Sequence, residues 1–286
     1  MVIIAVAAAL VLAGVVVFLT ADRPPPTSAP PGPTSASAST TSPAGAPTTT
    51  TAAETSAATT GRTTTTTTTT AGPPFPPSLR GQDLTAVPGA GRQVALTFDA
   101  GANSAGLPSI LATLADRGVP ATFFLTGTWA RANPSGVAAI RAGGHRVGNH
   151  SMTHPDFRTL DDGAVRDQVS RAEQAIRAAG ADPRPLFRFP LGARDARTIA
   201  AVNDAGYVAV RWTVDTLGWK GTSGGITAAQ VADRALGALG PGEIVLMHVG
   251  SNPDDGTTLD ADALPGMIDR MRAAGYGFVT LDALLA

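Results

Sequence analysis

Cysteine is absent from the 286-residue sequence, and Lys220 is its only lysine. Without cysteine the chain has no disulfide bond, no thiolate metal ligand, no catalytic cysteine and no lipobox cysteine. The formal net charge is only −1. This balance offers no electrostatic basis for binding nucleic acid or an anionic membrane surface. We therefore expect no nucleic-acid partner, and we expect a monomer.

The first 22 residues predict a membrane anchor, with a cleaved signal peptide as the alternative. Val2 to Leu19 is an uninterrupted apolar run, close to the roughly 20 residues that span a bilayer. No basic residue precedes the run, and only a weak cleavage site follows it, which favours the anchor. A buried core helix fits poorly, because a low-complexity segment follows at once. We expect an extracytoplasmic protein anchored to the cell membrane, or a secreted one if the segment is cleaved.

Residues 23–81 predict a disordered linker. From Arg23 to Pro77 the chain is dominated by Thr, Ser, Pro, Ala and Gly, with an unbroken threonine run from Thr63 to Thr70. Such a composition has too few apolar side chains to offset the entropy of ordering. We interpret this segment as a tether, with glycosylation as an open possibility. Residues 82–286 remain, enough for one folded domain.

Within residues 82–286, short apolar runs alternate with segments of helical periodicity. The predicted strands are Val94–Phe98, Thr122–Leu125, Arg146–Asn149, Leu186–Arg188, Val208–Trp212, Ile244–Met247 and Gly277–Thr280. The predicted helices are Leu107–Arg117, Val137–Ala142, Asp161–Ala179, Ala196–Ala205, Ala228–Leu239 and Ala261–Ala274. Strands separated by helices indicate a parallel sheet with right-handed crossovers. About seven such units without a dinucleotide-binding glycine motif favour a distorted parallel (β/α) barrel, an α/β fold, over a doubly wound sheet.

Polar side chains follow four of the predicted strands, at the barrel end where active sites lie. Asp99 ends the first strand, Arg188 the fourth and His248 the sixth. His150 and His154 follow the third, and their spacing would place two imidazoles on one side of a helical turn, a common arrangement for a divalent metal. Each residue alone has an ordinary explanation, such as helix capping or a structural histidine. Together at one rim they predict an active site.

With these residues the chain resembles the polysaccharide deacetylases that share the NodB homology domain, carbohydrate esterase family four. The resemblance runs from Val94 to about Thr280 and includes all five family motifs in order. The motifs are Thr97-Phe98-Asp99-Ala100-Gly101, His150-Ser151-Met152-Thr153-His154, Arg188-Phe189-Pro190-Leu191-Gly192, Asp215-Thr216-Leu217-Gly218-Trp219 and Ile244-Val245-Leu246-Met247-His248.

The resemblance implies a metal-dependent hydrolase that removes acetyl groups from N-acetylated sugars of a cell-envelope polysaccharide. Peptidoglycan is the leading substrate, with chitin-like glycans behind it. The implied cofactor is a divalent metal, usually zinc, held by His150 and His154. Asp99 matches the general base, Arg188 would keep it ionised and oriented, and His248 would protonate the departing amine.

Three further positions match the family's substrate groove. The backbone N–H of Leu191 would stabilise the oxyanion formed during hydrolysis. Trp219 and Leu246 would wall the space for the acetyl methyl group and the sugar ring. Packing in the protein core is an equally ordinary role for these last two.

Ala100 departs from the family, which usually has a metal-ligating aspartate at that position. Asp99, Asn103 or Asn149 could supply an oxygen ligand instead. The departure also supports a second interpretation, a catalytically weak or inactive domain that binds glycan on the same fold. Retention of Asp99, Arg188 and His248 together argues against it, because glycan binding alone requires none of the three.

Gly218 is the second departure, at a position where the family usually has an aspartate before the tryptophan. That carboxylate is poised to raise the basicity of the acid histidine, and glycine offers no acceptor. His248 should therefore lose its proton at lower pH than in relatives that have the aspartate. Asp215 is the candidate that could take over this role.

Overall fold

The computed structural model describes residues 74–286, which alternate strands and helices along the chain. The strands are β1 (Gln93–Ala100), β2 (Thr122–Leu125), β3 (Arg146–Asn149), β4 (Leu186–Phe187), β5 (Val208–Ala209), β6 (Val214–Asp215), β7 (Glu243–His248) and β8 (Gly277–Phe278). The helices are α1 (Leu107–Asp116), α2 (Gly127–Ala132), α3 (Pro134–Ala142), α4 (Asp162–Ala178), α5 (Ala196–Asp204), α6 (Ala228–Gly237) and α7 (Leu259–Ala273). The predicted membrane segment, 1–22, and most of the predicted linker lie outside the described residues.

The strands form one curved parallel sheet in the order β5-β4-β3-β2-β1-β7-β6, and β8 pairs with the start of β1. An extended segment lies at the open side of this sheet. Leu84 of that segment bridges to Val210, directly after β5, and Ala86 bridges to Glu243 of β7. The predicted distorted parallel (β/α) barrel is confirmed.

Alternation along β1 separates two layers of the core. Val94, Leu96 and Phe98 face the helices, where Phe98 stacks on Phe123 of β2 with ring centroids 5.0 Å apart. Ala95 packs instead in a second cluster with side chains of β2, β4, β5 and β7. Since successive strand side chains point to opposite faces, Asp99 shares the inner face with Ala95. Burying each large apolar side chain contributes about 1.5–3 kcal/mol.

Residues 74–81, which the composition assigns to the linker, pack on the domain. Phe75 is 6% exposed and belongs to the inner cluster. The backbone N–H of Gly81 donates to the Asn203 side chain at 2.7 Å, and Arg80 forms an ion pair with Asp204. The linker interpretation is therefore wrong for these eight residues, because one aromatic side chain and two polar contacts hold them.

Two elements escaped the sequence analysis. Helix α2 directly follows β2 and is only six residues long, too short for a clear helical period. Its start is fixed by the Thr126 hydroxyl, which accepts a hydrogen bond from the Trp129 N–H at 3.2 Å. Strand β6 has two residues, and such a short strand leaves no alternating pattern to detect. Within residues 74–286, no helix is long and apolar enough to span a membrane.

Candidate active site

A cavity of about 580 Å³ opens at the carboxyl ends of the strands, a size typical of ligand sites. It brings together seven of the eight site residues predicted from the sequence. These are Asp99, His150, His154, Leu191, Trp219, Leu246 and His248. Arg188, the eighth, is not part of the lining and lies behind Asp99.

The carboxylate of Asp99 is held by a buried arginine. Nη1 of Arg188 donates to Oδ1 of Asp99 at 2.9 Å and to the hydroxyl of Thr97 at 2.8 Å. Nη2 donates to the carbonyl of Arg211 at 2.8 Å, and the guanidinium lies 4.2 Å from the centre of the Phe124 ring. Arg188 is fully buried, and its donors have acceptors on β1 and on the segment after β5. Its orientation is therefore fixed.

The charges around Asp99 keep it ionised. Burial alone would raise the pKa of this carboxyl, but His150 when protonated, Arg188 and His248 lower it, and the pKa lies below its ordinary value. A charge-assisted hydrogen bond to the ionised form acts in the same direction. Asp99 is therefore a carboxylate at neutral pH, ready to accept a proton.

The imidazole of His150 has a fixed tautomer. Its Nδ1 lies 2.8 Å from the carbonyl oxygen of Arg188, so Nδ1–H donates there and Nε2 keeps its lone pair. Nε2 lies 3.4 Å from Oδ2 of Asp99. Burial lowers the pKa of His150 to about 4, so the ring is neutral at neutral pH. A neutral imidazole anchored through one nitrogen is typical of a metal ligand.

His154 reaches the cavity through a bent loop and not through the helical turn that its spacing suggested. Ser151 and His154 both have left-handed backbone conformations, with φ of 70° and 62°. Gln168 of α4 holds this loop, because its side-chain oxygen accepts from the N–H groups of Met152 and Thr153. The rings of His150 and His154 still meet, with centroids 4.9 Å apart. Strain of this kind is common at functional sites.

The site offers a metal two imidazoles but no obvious third ligand. Ala100 is fully buried in the core layer that faces the helices, with Leu96 and Phe98, and it does not line the cavity. Asn149 is occupied by bonds to Val169 and Ser151. Asn103 is occupied by bonds within its own loop and with Ser251, including an acceptor bond from the Ser251 N–H.

Of the three alternative ligands, then, only Asp99 faces the imidazoles. No group of three or more His, Cys, Asp or Glu side chains between residues 74 and 286 is arranged to hold a metal ion. The lone pair that His150 presents nevertheless fits a metal. The donor set is one ligand short of the three protein ligands usual in catalytic zinc sites.

His248 adjoins a carboxylate that the sequence analysis missed. Asp260, in the first turn of α7, accepts a hydrogen bond from the His248 backbone N–H at 2.8 Å. Its Oδ2 also lies 3.8 Å from Nδ1 of His248. Burial would lower the pKa of His248, but Asp260, Asp99 and Asp215 raise it above its ordinary value. The expectation drawn from Gly218 compares His248 with relatives that have the aspartate and stays a prediction, but it did not take account of the carboxylate of Asp260 beside His248.

Asp215 takes the role that the sequence left open for it only in part. Its Oδ1 accepts from the Leu217 N–H at 2.8 Å, and its Oδ2 lies 3.3 Å from the indole nitrogen of Trp219. Asp215 thus positions the loop that carries Trp219. Its charge still acts on His248, as the last of the groups that raise that pKa.

Apolar side chains line much of the rest of the cavity. Leu191 is 70% exposed and has a left-handed backbone with φ of 58°, while Trp219 is 46% exposed. Leu246 is buried on β7, with its side chain in the cavity wall. Phe189 and Trp212 also lie in the wall, and neither was assigned a site role from the sequence. Exposed apolar groups beside a polar cavity are typical of a ligand groove.

Known proteins are similar to this chain in sequence. The sequence profile of the polysaccharide deacetylase family matches residues 86–210. A chitooligosaccharide deacetylase from Sinorhizobium fredii is 39% identical over 182 residues, which cover 62% of this chain and 83% of that protein. A peptidoglycan-N-acetylglucosamine deacetylase from Bacillus cereus is 34% identical over 193 residues, which cover 67% of this chain and 68% of that protein.

Solved structures are similar to this chain in fold. A CE4 family pseudoenzyme from Bacillus anthracis superposes with a TM-score of 0.62 at 32% identity, covering 68% of this chain and 66% of the other. A mutant of that pseudoenzyme with restored enzymatic activity superposes equally well, at 33% identity and with coverage of 68% of each chain.

A parallel (β/α) barrel that gathers a carboxylate, an arginine and three imidazoles at its strand ends is typical of a hydrolase. The chain belongs to the polysaccharide deacetylase family, as the match to two deacetylases over most of their lengths shows. The family resemblance stated from the motifs is confirmed. Members of the family generally depend on a divalent metal.

Proposed function

We propose that this chain removes N-acetyl groups from a cell-envelope glycan, with peptidoglycan as the leading substrate. One observation carries the proposal. Asp99 and His248 are register neighbours on β1 and β7, and both line the cavity. Asp99 is ionised and His248 holds its proton more firmly than an ordinary histidine. A general base and a general acid therefore lie side by side, as amide hydrolysis requires.

The residues of the chain divide the reaction between them. Asp99 accepts a proton from the attacking water as the new C–O bond forms at the acetyl carbon. Arg188 keeps the carboxylate ionised until the water attacks, and it holds the side chain of Asp99 in place throughout. His248 donates a proton to the sugar nitrogen as the C–N bond breaks, which gives acetate and a free amine. We assign the backbone N–H of Leu191, at the cavity wall, to the developing oxyanion.

A divalent metal, zinc by preference, would be held by His150 and His154. It would polarise the acetamide carbonyl and make water easier to deprotonate. Trp219 and Leu246 wall the groove in which the sugar and the acetyl methyl group lie.

Two kinds of support favour an envelope glycan. Relatives at 34–39% identity are deacetylases named for peptidoglycan N-acetylglucosamine and for chitooligosaccharides. The apolar run from Val2 to Leu19, followed by a low-complexity segment, would hold the domain outside the cell membrane on a tether. A cell's own peptidoglycan lies within reach of such a tether, and a monomer suffices for the chemistry.

A second candidate function is an inactive glycan-binding domain. Ala100 provides no ligand where the family usually has one, and a solved pseudoenzyme shares this fold at 32% identity. The ion pair of Asp99 with Arg188 favours the enzyme, since binding alone does not need a buried charged pair.

The test is acetate release by the full chain, purified in detergent and supplied with zinc. Peptidoglycan and N-acetylated chitooligosaccharides serve as the two substrates. We expect release from peptidoglycan, and a loss of about 10²–10⁴-fold in turnover for Asp99→Asn and for His248→Ala. Glycan binding without any acetate release, with zinc or other divalent metals, would establish the inactive domain instead.

A further inference from the structure

The space beside Gly218 is filled by the carboxyl group of Asp260. A Cβ atom built on Gly218 would lie within 2.8 Å of Oδ1, Cγ and Oδ2 of that residue. No side chain fits at position 218 while Asp260 stays in place. The backbone of Gly218 is not left-handed, so the crowding comes from Asp260 and not from the conformation of the loop.

Asp260 is built into the site and is not a surface charge. Its side chain is 4% exposed. Oδ1 accepts a hydrogen bond from the Thr216 hydroxyl at 2.6 Å, and Oδ2 accepts from the His248 backbone N–H at 2.8 Å. A carboxylate is buried at this depth only when it is paired or hydrogen-bonded. Here its strongest partners belong to the fourth and fifth sequence motifs.

The imidazole of His248 has one nitrogen in need of a partner. Nδ1 is buried and has no hydrogen-bond partner within residues 74–286. The nearest carboxylate oxygen is Oδ2 of Asp260 at 3.8 Å, which is an ion-pair distance and not a hydrogen bond. A small rotation of either side chain would close this gap when His248 is protonated.

Other charged groups around His248 are engaged elsewhere. Asp99 on β1 pairs with Arg188, and Asp215 on β6 holds the Trp219 loop. The pKa of His154, on the loop after β3, is lowered chiefly by burial, and the nearby charge of His248 lowers it further. Asp260 is thus the carboxylate that contacts His248 most directly.

We propose that Asp260 is the positioning residue for the acid His248, taking the place of a carboxylate that Gly218 cannot provide. The carboxylate has moved from the loop after β6 to the first turn of α7 and occupies the same space from the other side. It orients the imidazole through Nδ1 so that Nε2 faces the cavity, an arrangement by which enzymes fix a histidine's tautomer. This inference rests on the proposed function, because only there is His248 assigned the role of general acid.

Asp260→Asn is the informative variant. An asparagine keeps the size, its Oδ1 can accept from the His248 N–H, and its amide can donate to the Thr216 hydroxyl, which in turn reaches the Leu246 carbonyl at 3.0 Å. Only the negative charge is lost. Asp262→Asn is the matched control, because Asp262 is in the same helical turn and exposed.

A third variant moves the carboxylate back to the loop. Gly218→Asp combined with Asp260→Ala vacates the space and refills it from position 218. We expect Asp260→Asn to lower kcat about 10- to 100-fold with little change in KM. Asp262→Asn should leave both unchanged, and the double variant should recover activity relative to Asp260→Ala alone.

A readout without substrate separates this inference from the proposed function. NMR titration of the imidazole of His248, assigned by its loss in His248→Gln, is followed in the full chain in detergent. We expect the pKa of His248 to fall in Asp260→Asn, because the negative charge beside the imidazole is lost, and to rise again in the double variant. If the wild type releases no acetate, this titration alone tests whether Asp260 acts on His248. An unchanged titration and unchanged kcat in Asp260→Asn would overturn the inference.

Discussion

Nη1 of Arg188 lies 2.9 Å from Oδ1 of Asp99, and both side chains are buried, with exposures of 0% for Arg188 and 7% for Asp99. The pair joins β1 to the end of β4 across the inside of the barrel. Desolvating two charges is costly, and this cost can exceed their mutual attraction. A pair of this kind adds little to stability. Its retention is explained better by the need for an ionised, immobile Asp99.

Arg188→Met should therefore destabilise the domain strongly, because it leaves Asp99 buried without its partner. We expect a loss of about 3–5 kcal/mol in the free energy of unfolding, the usual cost of breaking a buried pair. Adding Asp99→Asn should return part of this loss, since no charge is then left unpaired. Denaturant unfolding of the two single variants and the double variant measures the coupling. Additive losses in the double variant would show that the two charges do not depend on each other.

Metal binding should depend on the two imidazoles that the cavity brings together. His150→Ala or His154→Ala removes a ligand, and we expect zinc affinity to fall at least about 10–100-fold. His145→Ala is the control, since His145 packs near the Phe123 ring, with centroids 5.5 Å apart, and does not line the cavity. Metal content after dialysis, measured by elemental analysis, gives the result. Full zinc occupancy in the doubly substituted His150→Ala/His154→Ala protein would mean that the site lies elsewhere.

The sequence is sufficient to predict which residues lie at the carboxyl ends of the strands, for a reason that applies to parallel barrels in general. Asp99, Arg188 and His248 each follow a short apolar run, and parallel strands deliver their ends to one rim. Four strands end within one residue of their predicted limits, at Leu125, Asn149, Phe187 and His248. Local pattern is sufficient for these positions because strand direction and alternation fix where the side chains go.

Tertiary packing determines the roles of the site residues that the sequence pattern does not reveal. Asp260 is 12 residues beyond His248 in sequence, and an aspartate in the first turn of a helix reads as a favourable partner of the helix dipole. Only the packing of α7 against the loop that carries Gly218 reveals its second role. The left-handed conformation of His154 likewise depends on a loop held by Gln168 of α4, which residue spacing does not encode.

Phe75 should matter for stability although it lies in a segment of linker-like composition. It is 6% exposed among the inner apolar side chains. We expect Phe75→Ala in the full chain to lower the free energy of unfolding by about 3 kcal/mol, the lower end for a buried phenylalanine. Ser78→Ala, at an exposed position in the same segment, is the control. Equal thermal unfolding curves for wild type and Phe75→Ala would show that residues 74–81 do not pack on the domain in solution.

Glu243 is a buried carboxyl group far from the strand ends that carry the chemistry. It is 1% exposed at the start of β7, and neither side-chain oxygen has a hydrogen-bond partner within the described residues. Burial raises its pKa to about 7. The folded protein therefore keeps this group protonated at pH values where the unfolded chain, with an ordinary glutamate pKa of about 4.3, has already released the proton.

Glu243 should accordingly make stability fall as the pH rises. Its contribution is fully present below about pH 4.3, is lost progressively as the pH rises to about 7, and is constant above that. Glu243→Gln has no proton to lose, so the wild type should lose about 1–3 kcal/mol of unfolding free energy relative to this variant between pH 4 and pH 8. Urea unfolding of both proteins across this range measures the difference, and the comparison cancels the other titrating groups. A difference that stays constant with pH would show that Glu243 ionises as readily in the folded protein as in the unfolded chain.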